Sequence, residues 1–121
     1  MNINLEATEA HAIQAYSDSQ IQINAITYER SLIVSKEEII PNLQVTHIRD
    51  IDEHEVQQLL KIKPEVIIIG HKNTGEFINP RLVHQLGSLG IGVECMNLGA
   101  ACRTYNVLLS EERAVTALFI L

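Results

Sequence analysis

Aromatic residues and cysteines are scarce in this sequence of 121 residues. It contains no Trp, three Tyr and two Phe, so aromatic residues account for only 4% of the chain. Proteins that bind single-stranded nucleic acid stack bases on aromatic side chains, and the scarcity argues against that function. The two cysteines are too few for a disulfide framework, so we expect a reducing compartment.

Basic residues and long apolar runs are lacking as well. Nine Lys and Arg are set against 15 Asp and Glu, which gives a formal net charge of -6. This balance argues against a nucleic-acid partner, because phosphate backbones attract basic surfaces. No apolar run reaches the ~18 residues of a membrane span, and the first ten residues hold two acids and no Arg, unlike an organellar transit sequence. We therefore predict a cytoplasmic protein without a membrane span.

Apolar residues, by contrast, make up 46% of the sequence, and most of them are not aromatic. This share is typical of folded proteins, so a core of Ile, Leu and Val can form without disulfides. At roughly 100 to 200 residues per domain, we expect residues 1–121 to form a single domain.

The first third of the chain has the pattern of three short strands, at 11–16, 21–26 and 32–34. In the first of them, Ile13 and Ala15 fall on one face, and turn-forming residues separate the strands. We therefore predict a small antiparallel meander at the N-terminus.

From residue 44 onward the pattern alternates between strands and helices. Asp52 and Glu55 have the spacing of a capping box and predict the start of a helix, which Pro64 ends. Asn79 and Pro80 are preferred residues at a helix start and predict a second helix. The remaining predictions are strands at 45–48, 66–69, 91–95 and 114–121 and a helix at about 97–109.

This order of elements predicts an α/β fold in which βαβ crossovers build a sheet and the antiparallel meander precedes it. The four consecutive β-branched residues at 66–69 are typical of a strand that is buried on both faces. Spacing leaves the direction of the last strand open, since the connection before it is short.

The usable crevice of an open α/β sheet lies beyond the carboxyl ends of its parallel strands. There we expect Gly70, His71 and Lys72 from one loop, together with Glu94 and Asn97 from the next strand. Glycine allows close backbone approach and the helix that starts at Asn97 attracts anions, so a small anionic ligand is one hypothesis. The alternative is that the glycine only shapes a turn.

The predicted helix at 97–109 has an apolar stripe and a polar face. Cys102 lies near its start, where a thiol can become nucleophilic, but the helical period places it in the stripe with Tyr105. We therefore predict a buried thiol. Arg103 and Asn106 lie on the opposite side and are candidates for binding a ligand or a protein. The alternative, which we favour for Arg103, is an ion pair with Glu94, Glu111 or Glu112.

Catalytic and metal-binding patterns are not found in the sequence. The five histidines lack metal-ligand spacing, the two cysteines are seven residues apart, and there is no Gly-x-Ser-x-Gly turn. We predict no metal, no cofactor and no catalytic residues, so an enzyme is less favoured than a binding protein.

One C-terminal segment is distinctive enough to suggest a family. Its strongest motif is Val93-Glu94-x-Met96 followed by Ala100-Ala101-Cys102-Arg103-Thr104-Tyr105-Asn106. The chain resembles a family of small α/β domains, long catalogued as of unknown function, which includes the mitochondrial respiratory complex I assembly factor three and has a methanogen protein as its structural prototype. The resemblance implies a three-layer α/β fold with a mixed central sheet and a small antiparallel sheet. It also implies no established enzymatic activity and, for mitochondrial members, a role as a partner in complex assembly.

Two segments depart from the pattern of that family. Where members commonly have Gly-Thr-Gly after the central strand, this chain has Gly70-His71-Lys72. Where they have Glu-Gly-Arg, it has Glu111-Glu112-Arg113. If the Thr-Gly pair lines a pocket in relatives, the side chains of His71 and Lys72 either occupy that pocket here or change its charge.

These observations lead to three functional hypotheses. The first is a non-catalytic domain that binds another protein, as an assembly factor does. The second is a binder or enzyme for a small anionic ligand in the crevice at the strand ends. The third is a homo-oligomer that forms through an exposed strand edge.

Overall fold

Two β-sheets organise the chain in this computed structural model, which describes residues 3–5 and 10–121. A four-stranded antiparallel sheet holds, in order, β1 (Ile3–Asn4), β2 (Ala15–Tyr16), β3 (Ile21–Ile23) and β4 (Ile26–Tyr28). The larger sheet has the five strands β5 (Leu32–Ser35), β6 (Ile39–Ile40), β7 (Val66–His71), β8 (Gly92–Asn97) and β9 (Val115–Phe119). The helices are α1 (Glu53–Leu60), α2 (Pro80–Ser88) and α3 (Leu98–Ser110), and a short 3-10 helix lies at Ile48–Asp50.

The larger sheet is mixed, with the strand order β6-β5-β9-β7-β8. β7 pairs in parallel with β8 on one side and with β9 on the other, whereas β9 pairs antiparallel with β5. The last strand, whose direction the spacing left open, is therefore parallel to β7. The predicted α/β fold with a mixed central sheet is confirmed. Association of two copies through an edge such as β8 stays a prediction.

The strand β7 is buried on both faces, as its β-branched run predicts. Ile67 and Ile69 pack with residues of α1 and α2, and Ile68 packs on the opposite face with residues of α3 and the antiparallel sheet. Alternate residues of a strand point to opposite faces, so this strand contributes to two apolar cores. The two cores, one on each side of the mixed sheet, create the three layers.

Local side-chain caps start the helices where the sequence predicts them. The Asp52 carboxylate caps α1 and the Glu55 carboxylate accepts from the Asp52 N–H at 2.9 Å, which completes the capping box. The Asn79 side chain caps α2, and Pro80 is its first residue. Gly90, with a φ of 79°, follows the last turn of α2 in the left-handed conformation that is common after helices.

The prediction of a strand at residues 45–48 is wrong. The Asp50 carboxylate accepts from the N–H of His47 at 3.0 Å, and the His47 ring accepts from the N–H of Arg49 at 3.0 Å. These local hydrogen bonds close the 3-10 helix and satisfy the backbone without a neighbouring strand. The apolar residues of the segment are buried all the same, which is why they looked like a strand.

The N-terminal meander differs from the prediction in two ways. The run at 21–26 is a hairpin, because Asn24 and Ala25 have φ values of 51° and 65° and form a two-residue turn between β3 and β4. The strand predicted at 32–34 is β5, which leaves the meander and pairs with β9 in the mixed sheet. This pairing joins distant parts of the chain, so no local pattern could reveal it.

Candidate functional site

An open groove with a volume of about 590 Å³ lies at the carboxyl ends of β7 and β8. β7 ends at His71, which is paired in register with Asn97 at the end of β8, and α3 begins at the next residue. The loop at 72–77 and the turn that starts at Tyr16 form the other walls. The groove therefore lies where open α/β sheets bind their ligands, and it is the candidate site.

His71 is the most buried polar residue of the groove, with 8% of its surface exposed. Its Nδ1 accepts a hydrogen bond from the backbone N–H of Asn73 at 3.1 Å, which leaves Nε2 to carry the proton of the neutral ring. Burial, with a smaller contribution from the nearby His47, lowers the pKa of His71. The wall of the groove thus includes a neutral imidazole that carries its proton on Nε2.

The first turn of α3 forms the next part of the wall. Asn97 precedes the helix, and its Oδ1 accepts from the N–H of Ala100 at 2.8 Å. The first N–H groups of a helix have no hydrogen-bond acceptor within the helix, and they lie at the positive end of the helix dipole. This part of the groove wall therefore favours a ligand group that accepts hydrogen bonds or carries a negative charge. Lys72 is exposed on the loop beside it.

Gly70 does not line the groove, although the sequence placed it there as a site residue. It lies within β7, and a Cβ atom at this position would be 2.6 Å from the Cβ of Ala101 on α3. The absence of a side chain lets the helix approach the strand. The role that its geometry supports is therefore packing.

Arg103 adjoins the groove through one of its wall residues. Its Nη1 donates to the hydroxyl of Tyr16 at 2.5 Å, so within the described residues it has this hydrogen bond instead of the expected ion pair with a Glu. Tyr16 lies across the first turn of α3, where a Cβ on Gly99 would be 3.1 Å from its ring. The Arg103–Tyr16 pair thus holds the antiparallel sheet against the start of α3.

Asn106 and Glu94 lie outside the groove. The Oδ1 of Asn106 accepts from the N–H of Ile13 at 2.8 Å, and its Nδ2 donates to the carbonyl of Ile13 at 2.9 Å. Both polar atoms of this amide therefore bind the N-terminal segment to α3. Glu94 is exposed on the edge strand β8. Of the seven residues singled out in the sequence, the groove brings together His71, Lys72 and Asn97.

Two wall residues, Phe77 and Tyr16, were not among the candidates from sequence. Phe77 is 76% exposed, although it is a large apolar residue in an otherwise polar loop. That contrast with its neighbours is a signal that sequence alone could have supplied. Tyr16 reaches the groove through the packing of the antiparallel sheet, and its own neighbourhood in sequence gives no such signal.

The thiol of Cys102 is fully buried in the core beside α3, as the helical period predicts. Burial raises its pKa to about 12, so the thiol stays protonated at neutral pH. Cys95, which lines the groove, is half-buried, and burial raises its pKa as well. Both cysteines are therefore poor nucleophiles.

The described part of the chain has neither a cluster of metal ligands nor a helix that could span a membrane. Within residues 3–5 and 10–121, no three side chains among His, Cys, Asp and Glu come together as metal ligands. The helices of this part of the chain are too short or too polar for any of them to cross a bilayer.

Fold and groove together define a small three-layer α/β protein with an open groove at the strand ends. The chain belongs to the DUF498 family, described as "Protein of unknown function (DUF498/DUF598)", whose model matches residues 13–120. The resemblance to a family of small domains of unknown function is thereby confirmed.

Individual relatives agree with this membership. A Francisella tularensis protein named "13 kDa major membrane protein" is 29% identical over 109 residues, which are 87% of this chain and 86% of that protein. The crystal structure of a Bordetella parapertussis protein is 30% identical with a TM-score of 0.83, over 95% of this chain and 98% of that one. A Bordetella pertussis protein solved by NMR and described as an Mth938-like domain is 25% identical with a TM-score of 0.79, over 99% and 92% of the two chains.

Proposed function

We propose that this chain is a single-domain, non-catalytic module that binds another protein, and that an extended segment of the partner lies in the groove. The observation that carries the proposal is the exposure of Phe77 on the groove wall. Covering a large apolar side chain is favourable, and aromatic residues are frequent at the centres of protein interfaces. A partner that covers Phe77 therefore gains binding free energy at this position.

The groove fits a segment that has an apolar side chain beside a main-chain carbonyl. Phe77, Met96 and Leu98 supply apolar contacts along the wall. The Nε2–H of His71 and the first N–H groups of α3 are donors for the carbonyl. Acidic and basic side chains are mixed around the groove, so its charge favours an uncharged backbone segment over a highly charged tail.

The chemical state of the buried groups favours binding over catalysis. Cys102 is directed into the core with its pKa raised to about 12, and burial also raises the pKa of Cys95. Because the Nδ1 of His71 accepts from a backbone N–H, the neutral ring has no free lone pair with which to act as a general base. The motif at 93–106 resembles a family that includes a complex I assembly factor, and this resemblance supports the same proposal, with the assembly of a protein complex as its setting.

The variant Phe77→Ala tests the proposal. Wild-type protein is used to capture a partner from lysate at near-physiological salt, and the identified partner is then purified for affinity measurements. We expect Phe77→Ala to weaken binding by about tenfold or more. Leu89→Ala is the matched control, because Leu89 is also largely exposed but lies outside the groove. Failure to recover any specific protein, or equal affinity of the Phe77→Ala variant, contradicts the proposal.

A second candidate function is the binding of a small anionic ligand in the same groove. It is favoured by the juxtaposition of the His71 N–H with the first turn of α3, where donors and the positive end of the dipole meet. Lys72 at the rim adds a positive charge.

Titration with inorganic phosphate and with acetate, followed by NMR, distinguishes this candidate from protein binding. We expect saturable shifts of the backbone signals of Asn73 and Gly99, which are lost in His71→Gln and kept in His84→Gln. His84 is a suitable control because it is exposed on α2, outside the groove. Absence of a saturable shift with either anion discards the second candidate and leaves the protein-binding proposal standing.

A further inference from the structure

Four strands lie at the edges of the two sheets in the described residues, and β8 differs from the other three. β1, β4 and β6 have two or three residues each, whereas β8 has six. β8 pairs with β7 without a bulge over its whole length, and it contains no proline. Short strands, bulges and prolines are the usual means of keeping a sheet edge from pairing further, and β8 has none of them. Its outer edge is therefore open to another strand.

The hydrogen bonds of β8 determine which of its backbone groups face outward. The N–H of Gly92 donates to the carbonyl of Glu65 at 3.2 Å, so Gly92 directs its backbone groups toward β7. Because this direction alternates along a strand, Val93 and Cys95 direct their N–H and carbonyl groups away from the sheet. Within the described residues, these groups have no hydrogen-bond partner. Unpaired backbone groups of a folded protein face water, so they are accessible to a partner.

The side chains of β8 alternate between the two faces of the sheet. Val93 and Cys95 pack against the core beside α1 and α2, whereas Met96 packs against the core beside α3. Glu94 lies two residues before Met96 and therefore on the same face, where it is exposed. It is also the charged residue of a strand whose other five residues are uncharged. The face of β8 toward α3 thus presents a carboxylate followed by an apolar side chain.

The outer edge of β8 is continuous with the groove. The last three residues of β8, which are Cys95, Met96 and Asn97, also belong to the groove wall. The exposed Phe77 lies on the same wall. An extended segment that pairs with the backbone of β8 therefore continues into the groove at the end of the strand.

Charge determines which kind of segment fits this edge. A basic side chain opposite Glu94 forms a favourable cross-strand pair, and the formal net charge of -6 also attracts a basic segment. A second copy of the chain fits less well. A two-fold axis at Glu94 places two carboxylates directly opposite each other, and an axis at Cys95 places each Glu94 opposite Met96 of the second copy. The charge on β8 therefore favours a segment of a different protein.

We propose that the outer edge of β8 adds an extended segment of the partner protein as a sixth strand of the mixed sheet. The main chain of the segment bonds to Val93 and Cys95, and its side chains include a Lys or Arg opposite Glu94 and an apolar residue opposite Met96. This strand addition rests on the proposed function, because the same partner segment continues into the groove. It defines the partner further, as a protein with a basic residue two positions from an apolar one in an extended segment.

Titration of the full chain with a synthetic peptide, followed by NMR, tests the edge. The probe is acetyl-Thr-Leu-Val-Lys-Thr-Thr-amide, which in antiparallel pairing places its Leu opposite Met96 and its Lys opposite Glu94. We expect saturable binding with a Kd on the order of 1 mM. The amide signals of Val93 and Cys95 are expected to shift more than that of Glu94, whose N–H is already bonded to β7.

Methylation of single backbone nitrogens of the peptide tests the main-chain pairing. The N–H of the peptide Val faces β8, so its methylation is expected to weaken binding at least about fivefold. The N–H of the peptide Lys faces away from β8. Methylation there is the matched control, and it is expected to change the Kd by less than about twofold.

Variants of the chain separate the backbone pairing from the charge. Val93→Pro removes an outward N–H and leaves the hydrogen bonds to β7 intact, so we expect it to abolish peptide binding, whereas Val93→Ala keeps the N–H and the binding. Glu94→Lys is expected to weaken binding at least about threefold and to favour a peptide with Glu in place of Lys. Glu37→Lys, an equal change of charge in the turn between β5 and β6, is the matched control.

The methylated peptides decide the question should Val93→Pro not fold. Shifts without the alternation, equal binding of the two methylated peptides, or a wild-type dimer that Val93→Pro dissociates would each overturn the proposal. The peptide ends opposite Asn97, so its binding is measured apart from the loss of partner binding expected in Phe77→Ala. A failure at the edge is therefore distinguishable from a failure of the proposed function of the groove.

Discussion

Gly70 on β7 and Ala101 on α3 lie so close that a Cβ atom on the glycine would be 2.6 Å from the Cβ of the alanine. No pair of real Cβ atoms tolerates such a distance, so the missing side chain is a condition for this helix position. The residue after Gly70 is His71, which lines the groove. The contact therefore sets how the first turn of α3 lies relative to the site.

Enlarging either partner of this contact is expected to destabilise the fold. Gly70→Ala and Ala101→Leu each overpack the interface between strand and helix, and we expect each to lower the free energy of unfolding by about 1 to 3 kcal/mol. Gly87→Ala is the matched control, because Gly87 lies in α2 with open space around it, and the substitution is expected to stabilise by about 0.5 to 1 kcal/mol. Urea denaturation measures all three, and equal midpoints for Gly70→Ala and the wild type would show that the helix can shift.

Asn106 and Arg103, neighbours on α3, are expected to differ in their effect on stability. Asn106→Ala leaves the buried N–H and carbonyl of Ile13 without partners, at about 1 to 3 kcal/mol for each group. Arg103→Ala removes one hydrogen bond of an exposed side chain to Tyr16, so we expect a loss of at most about 1.5 kcal/mol. Thermal denaturation measures the stability of both variants. Similar losses of stability in Asn106→Ala and Arg103→Ala would contradict the role of Asn106 in holding the N-terminal segment.

The end of α3 contains a glutamate in a conformation that favours glycine. Glu112 has a φ of 59°, and the N–H of Arg113 donates to the carbonyl of Leu108 at 3.0 Å, as in a Schellman motif. Glu112→Gly is expected to stabilise the fold by about 1 kcal/mol because it removes the left-handed strain. Glu111→Gly is the control, since Glu111 has a φ of -85° and gains nothing from glycine. A lower urea midpoint for Glu112→Gly than for the wild type would count against this account.

His71 is expected to make stability depend on pH. Burial lowers its pKa below the ordinary value of 6.5, so between the two values the unfolded chain binds more protons than the folded one. The stability that comes from burying the neutral ring is complete above about pH 6.5 and declines as the pH falls from there toward the folded pKa. Denaturation measured from about pH 7.5 down to about pH 5.5, roughly one unit on either side of the ordinary His pKa, shows the effect.

The variant His71→Gln isolates this contribution. We expect its stability to fall less steeply with decreasing pH than that of the wild type, whereas His84→Gln keeps the wild-type slope. An NMR titration of the His71 ring gives the folded pKa directly. A value above 6.5 would reverse the sign and refute the argument.

Elements that depend on neighbouring residues could be predicted well. The caps at Asp52 and Asn79 and the burial of Cys102 follow from spacing along the chain, because the interacting groups lie within one or two helical turns. The wrong prediction of a strand at residues 45–48 is also explained by neighbouring residues. Side-chain hydrogen bonds to the local backbone stabilise a 3-10 helix there instead of a strand. Strand propensity depends on neighbours in the sheet, which the local sequence does not contain.

The candidate site could be predicted only in part. Parallel strands end at the same edge of a sheet, so the sequence predicts that one edge holds His71, Lys72 and Asn97. In the structure, β7 and β8 are paired in register up to their last residues, and this pairing brings the three side chains to that edge. Tyr16 reaches the groove through contacts of the antiparallel sheet with α3, which join residues far apart in sequence. The function of the groove is a proposal that the Phe77→Ala and His71→Gln variants test.

The order of amino acids alone determines the helix starts, the doubly buried central strand and the inward thiol, since each depends on periodicity or on a cap within a few residues. Tertiary packing decides that β9 lies between β5 and β7 and that the absence of a side chain at Gly70 lets α3 approach β7. These features arise from the match of shapes and hydrogen-bonding groups between distant segments, and that match exists only once the layers are assembled.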